Sequence, residues 1–170
     1  MTEQLFIADI IRYFIGWWWL AAVAGKLRTW PAFRVELGTS FGFAPAPAAI
    51  MAPAVVLAEL LAAAMLLGAA PSAGMLASLL LMCTFTAALG YRFYVHGIVR
   101  CSCFGESARP LSTYDLARNL LVVGAICAWL GLPPGVALPA GESLVAAGLG
   151  AWLCVAALNF HDLVVLARTR

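Results

Sequence analysis

Residues 49–69 read AIMAPAVVLAELLAAAMLLGA, twenty-one positions in which Glu59 is the only charge. A helix needs about 20 apolar residues to cross a ~30 Å hydrocarbon core, so this stretch alone is long enough to span a bilayer. Four more segments of similar character flank it: 5–27, 75–95, 114–130 and 144–166. A bilayer core holds no water to satisfy backbone groups, so each segment must pair its own N–H and C=O groups and be helical. The sequence therefore predicts an all-α, multi-pass transmembrane bundle of five spans, a four-helix core plus a C-terminal helix, forming one membrane domain over 1–170.

Composition agrees. Of the 170 residues, 64% are hydrophobic and 11% charged, and the mean hydropathy is +0.97, which leaves too little polar surface for a soluble domain. A net charge of +2, with no basic run interleaved with aromatics, argues against nucleic-acid binding. Met1-Thr2-Glu3-Gln4 lacks the basic start of a secretory signal, so the first apolar segment is expected to remain as a span.

With five crossings, the 28–48 and 96–113 connections and the C-terminus share one face. Lys26, Arg28, Arg34, Arg92, Arg100, Arg109, Arg118, Arg168 and Arg170 belong to that face, and Arg12 to the other. The positive-inside rule makes the basic face cytoplasmic and the bilayer the cytoplasmic membrane. Within the 28–48 connection, Thr29 as N-cap, Pro31 in the first turn and Gly38 as terminator predict a short helix. Trp30, Phe33, Val35 and Leu37 give it an apolar side suited to an interfacial anchor or to a lid. Trp17, Trp18 and Trp19 fall near the middle of the first span and point different ways around it, which favours packing.

Ionisable residues inside spans are functional candidates because they are costly to keep there. Glu59 lies ~15 Å into the second span and Arg118 ~6 Å into the fourth, while Lys26 closes the first. A lone carboxyl in hydrocarbon is neutral or paired, and Lys26 and Arg118 are its candidate partners by depth. Glu59 reads either as half of a structural ion pair or as a proton carrier. Ser112 and Asp115 resemble a capping box, and Asp115 and Arg118 form an i, i+3 pair. Arg118 followed by Asn119 in an apolar helix needs a further reason. His161 and Asp162 read as interfacial polarity.

The remaining chemistry lies in Cys101-Ser102-Cys103-Phe104-Gly105-Glu106, between the third and fourth spans. Cα atoms two residues apart in extended chain lie about 6–7 Å from each other. Bridged cysteines have Cα separations of ~4.4–6.8 Å, so a C-x-C disulfide closes only in a tight ring that is more reducible than a structural staple. Arg100, with Arg92 and Arg109 within reach, would favour the thiolate, the nucleophilic form. The residues leave three readings open: thiol–disulfide exchange, soft-metal binding with His96 or Glu106 as further ligands, and inert thiols. Spacing does not favour zinc, and no metal site is assigned. Cys83, Cys127 and Cys154 sit inside apolar segments and read as packing residues.

Gly25-Lys26-Leu27 with Phe33, Pro53 with Glu59, Cys101-Ser102-Cys103-Phe104-Gly105, and Arg118-Asn119 together resemble the MauE family of methylamine utilisation membrane proteins, within a broader DoxX-like, redox-associated group. Residues 25–119 carry the likeness; the last forty residues carry none of it. The resemblance implies a membrane thiol–disulfide oxidoreductase or redox relay that supports disulfide formation in a maturing client. A thioredoxin-like protein outside the cytoplasm would be its partner, and a quinone, by analogy with other membrane disulfide enzymes, its electron acceptor. Such a partner lies opposite the face that the basic residues assign to the C-x-C loop. On this reading Cys101 and Cys103 exchange, Arg100 and Arg118 tune the thiols, and Glu59 carries protons. The alternative is a non-catalytic accessory subunit that holds a soft metal at the C-x-C pair.

Overall fold

The computed structural model describes residues 2–41, 45–96, 113–132 and 138–160. Six helices follow one another: α1 Thr2–Arg28, α2 Trp30–Phe41, α3 Pro45–Leu67, α4 Pro71–His96, α5 Thr113–Leu130 and α6 Ala140–Leu158. Every regular element among the described residues is helical. Local sequence explains several ends. Pro45 and Pro71 open α3 and α4, where a missing N–H costs nothing. Glu3 in the first turn of α1 and Lys26 and Arg28 in its last complement the helix dipole. Pro53 interrupts the hydrogen-bond ladder inside α3 without ending the helix.

α1 is the hub. It packs along α3 on one side and α6 on the other; α3 packs on α4, α4 on α5, and α5 returns to α1. Helices α1, α3, α4 and α5 thus close a four-membered ring, with α6 laid against the outside of α1. One apolar cluster fills the ring, built from Ile15, Trp18, Trp19 and Ala22 of α1, Ala62, Ala63 and Leu66 of α3, Met75 and Met82 of α4, and Val122 and Ile126 of α5. The outside is as apolar as the inside. Ile50, Leu80, Leu121, Leu144 and Trp152 are all exposed, as expected where lipid rather than water is the neighbour.

Among the described residues four helices are long and apolar enough to cross a membrane: Glu3–Arg28, Ala49–Leu67, Pro71–Val95 and Ala140–Leu158. These coincide with the first, second, third and fifth expected spans. The expected fourth forms α5, which does not meet the same standard of apolarity because Asp115, Arg118 and Asn119 occupy its first two turns. The fifth expected span starts earlier than anticipated, at Ala140, and its described helix ends at Leu158; His161 and Asp162 lie outside the described residues.

The 28–48 connection does contain the expected short helix, with corrected ends. The Thr29 hydroxyl donates to Gly25 O of α1 at 3.1 Å instead of capping α2. α2 runs through Gly38 to Phe41. It is held down by Phe33 and Leu37, which bury against Ala52 of α3. The three tryptophans divide as their different directions require: Trp18 and Trp19 are core, and Trp17 is exposed, reaching Ala147 O of α6 at 3.2 Å. Cys154 is buried, but Cys83 and Cys127 face outward. Their assignment to packing is corrected accordingly: in a bilayer an apolar thiol gains as much from lipid outside as from protein inside.

Candidate functional site

The site is built around the one charge of residues 49–69. Glu59 is fully buried, and its Oε1 accepts a hydrogen bond from Lys26 Nζ at 2.7 Å. Of the two cations proposed for it by depth, the structure selects Lys26. Helix geometry explains the choice. α1 and α3 pack along their lengths, so a long lysine stem at the end of α1 can run back between them to the carboxylate.

Two rings flank the ammonium: Phe33 of α2 with its centroid 5.7 Å away and Phe85 of α4 at 5.8 Å. Both are within cation–π range. Three helices besides its own therefore hold the Lys26 head, through one carboxylate and two rings. Burying both charges is expensive unless geometry and further polar contacts offset the desolvation, so their presence calls for either a tight fit or a use.

Arg118 is placed differently from expectation. It pairs with Asp115 at 3.6 Å, the i, i+3 contact read from the sequence. Its guanidinium also lies 5.4 Å from the Trp18 ring. One residue on, Asn119 is 5% exposed and faces the bundle interior. That is the further reason for an Arg-Asn pair in this helix: the arginine seats α5 on an α1 tryptophan, and the asparagine enters the core.

Between these groups lies a cleft of about 20 Å³ lined by Trp18, Trp19, Ala22 and Lys26 of α1, Glu59 of α3, Met82 and Phe85 of α4, and Asn119 of α5. All four ring helices contribute. Trp19 is fixed by donating its indole N–H to Ser78 Oγ at 2.8 Å and by edge contact with Phe85 at 6.2 Å. Glu59 Oε2 is buried and accepts no hydrogen bond among the described residues.

Sequence reading found Lys26, Glu59, Arg118 and Asn119, because each is polar in an apolar helix. Ser78, Met82 and Phe85 carried no such signal: they are ordinary residues of a membrane helix and become site residues only through the packing of α4. Cys101, Cys103 and Arg100 lie outside the described residues. Connectivity still fixes one relation: they belong to the segment joining the end of α4 to the start of α5. Among the described residues no cluster of three His, Cys, Asp or Glu side chains is grouped to hold a metal. The cleft has space for about one water molecule.

A ring of four helices, an apolar outer surface and a buried charged pair at the centre define a multi-pass helical membrane protein. The chain belongs to the family of the methylamine utilisation protein MauE, which it matches over residues 4–133. That stretch takes in the whole four-helix ring and the C-x-C segment and stops before α6. No curated protein and no solved structure matches the chain significantly.

Proposed function

We propose that this chain is a thiol–disulfide oxidoreductase or redox relay of the cytoplasmic membrane, serving protein maturation in methylamine utilisation. The observation that carries the reading is the buried Lys26–Glu59 pair, 2.7 Å apart, with Asn119 lining the same cleft. Helix α1 ends close to it, and α5, the next helix after the C-x-C segment, supplies Asn119. On this reading these polar groups, buried in a largely apolar core, serve the two thiols of the α4–α5 connection.

A single exchange balances by itself, and an electron acceptor must reoxidise the Cys101–Cys103 dithiol before the next. A thiolate of the partner dithiol attacks the Cys101–Cys103 disulfide and forms a mixed disulfide, releasing one cysteine as thiolate. The partner's second thiolate then attacks the mixed disulfide, leaving the partner oxidised and Cys101 and Cys103 reduced. Two electrons move to the C-x-C pair, and the two protons lost by the partner are taken up by the new thiolates. Arg100 stabilises the thiolate charge as the leaving sulfur departs. Glu59 is the buried carboxylate among the described residues, and on this reading it accepts and returns the proton. Arg118 sets the position of α5 and contributes positive charge. The partner is a thioredoxin-like protein or the client itself.

The test is acid quenching and alkylation of Cys101 and Cys103 in intact cells with permeant and impermeant reagents. We expect a fraction of the pair oxidised, a mixed disulfide trapped in one single Cys→Ser variant, and loss of client maturation when both are serine. Cysteines that are never oxidised, together with a functional double variant, reject the reading and leave a non-catalytic accessory subunit.

A further inference from the structure

The ion pair leaves one atom unaccounted for. Lys26 satisfies Glu59 Oε1, but Oε2 is buried and takes no hydrogen bond among the described residues. A buried acceptor left so costs roughly 1–3 kcal/mol, more if it carries charge. Beside it is the cleft of about 20 Å³, whose polar lining is Lys26, Glu59 and Asn119 and whose remaining walls are Trp18, Trp19, Ala22, Met82 and Phe85. A water needs roughly 10–15 Å³ and two to four polar partners. Both conditions are met here, with an ammonium as donor, a carboxylate as acceptor and an amide that is both.

We propose that this cleft is a hydration site in which one water, held by the Asn119 amide and the Lys26–Glu59 pair, exchanges protons with the buried carboxylate. Asn119 is thereby a positioning residue: it holds the water, and Glu59 holds the proton. The indole and phenyl walls keep the site to a single molecule, so it conducts protons to Glu59 without flooding the bundle. The charged groups facing it are Lys26 from α1 and Glu59 from α3; Arg118 of α5 stands behind Trp18, paired with Asp115. The hydration site deepens the assignment of Glu59 as proton carrier and rests on it for its use, though not for its geometry.

Lys26 is the only lysine in the chain, which makes a direct test possible. Full-length protein labelled with ¹⁵N-lysine in lipid nanodiscs gives a single Nζ signal. Water-edited solid-state NMR then reports magnetisation transfer from water to that one atom. We expect fast transfer in the wild type and a loss of about tenfold in Asn119→Leu, which keeps the branched heavy-atom skeleton and removes both hydrogen-bonding atoms. Met82→Phe, which fills the cleft from its apolar side, is the second variant should the first not fold, and it should give the same loss. A wild-type Lys26 that receives nothing from water overturns the proposal, as does transfer unchanged in a folded variant. The outcome is separable from the thiol reading. A dry Lys26 in a protein whose Cys101 and Cys103 still exchange removes the hydration site alone. A hydrated Lys26 in a protein whose cysteines never oxidise removes the thiol chemistry alone.

Discussion

The Lys26–Glu59 contact is worth most when considered one residue at a time. Lys26→Met removes the cation and strands Glu59, which is fully buried, in a low-dielectric interior. Breaking a buried pair from one side costs about 3–5 kcal/mol, whereas replacing both members with apolar residues of similar volume is often neutral or stabilising. We expect Lys26→Met and Glu59→Leu each to lower the thermal midpoint in detergent sharply, and the double variant to recover most of the loss. Recovery of stability with loss of client maturation would assign the pair to function. Two additive losses would contradict the coupling on which the site rests. Much of this was legible from residue type alone, since Lys26, Glu59, Arg118 and Asn119 are each anomalous in an apolar helix. What could not be read was the pairing. Lys26 and Arg118 lie at comparable depths by rise per residue, and only the lengthwise packing of α1 on α3 decides between them.

At the scale of the helix, the deciding contacts are small residues where backbones approach. A Cβ added at Gly150 of α6 would lie 2.7 Å from Phe14 N and 3.0 Å from Tyr13 C, both main-chain atoms of α1 that cannot rotate away. Membrane helices associate through such close approach, since no hydrophobic drive separates them from lipid. Gly150→Ala should therefore push α6 off α1, weaken the Tyr13–Ser143 hydrogen bond of 2.8 Å, and cost about 1–3 kcal/mol. Gly124 of α5 has nothing within 4 Å of the same added carbon. Gly124→Ala should stabilise its helix by about 0.5–1 kcal/mol, because glycine is the poorer helix former. Chemical denaturation of the two variants in the same detergent measures the contrast, and equal effects would refute the packing account. Element boundaries show the same division between local and tertiary causes. The apolar runs located five helices and turn chemistry located α2, but the Thr29 cap was misread because its hydroxyl turns back to Gly25, a choice set by α1 continuing up to Arg28. Gly38 did not stop α2 because Phe33 and Leu37 bury against α3 and carry the helix past it.

For the whole molecule, the open quantity is the number of crossings. Apolarity supports four, but α5 places Val122 and Ile126 in the same core cluster as Trp18 of α1 and Met82 of α4. Its 18 residues extend ~27 Å, close to the ~30 Å of a hydrocarbon core. We read a helix packed beside α1 and α4 over such a length as crossing the bilayer with them, its first turns polar because they serve the site instead of the lipid. We therefore expect five crossings, with Thr2 and Asn159 on opposite faces of the membrane. Single cysteines placed at these two positions, in a background with all five native cysteines replaced, should react with an impermeant maleimide from opposite sides of sealed vesicles. Reaction from the same side would mean four crossings and would set α5 within the membrane without spanning it. The assay also orients the C-x-C segment, because α5 begins at the end of the bundle where that segment joins it. Thr2 labelled from outside puts Cys101 and Cys103 on the cytoplasmic face, as the basic residues Lys26, Arg28 and Arg34 demand. Thr2 labelled from inside puts the thiols outside, where a thioredoxin-like partner can reach them, and would mean that those cations are kept for the site against the charge rule.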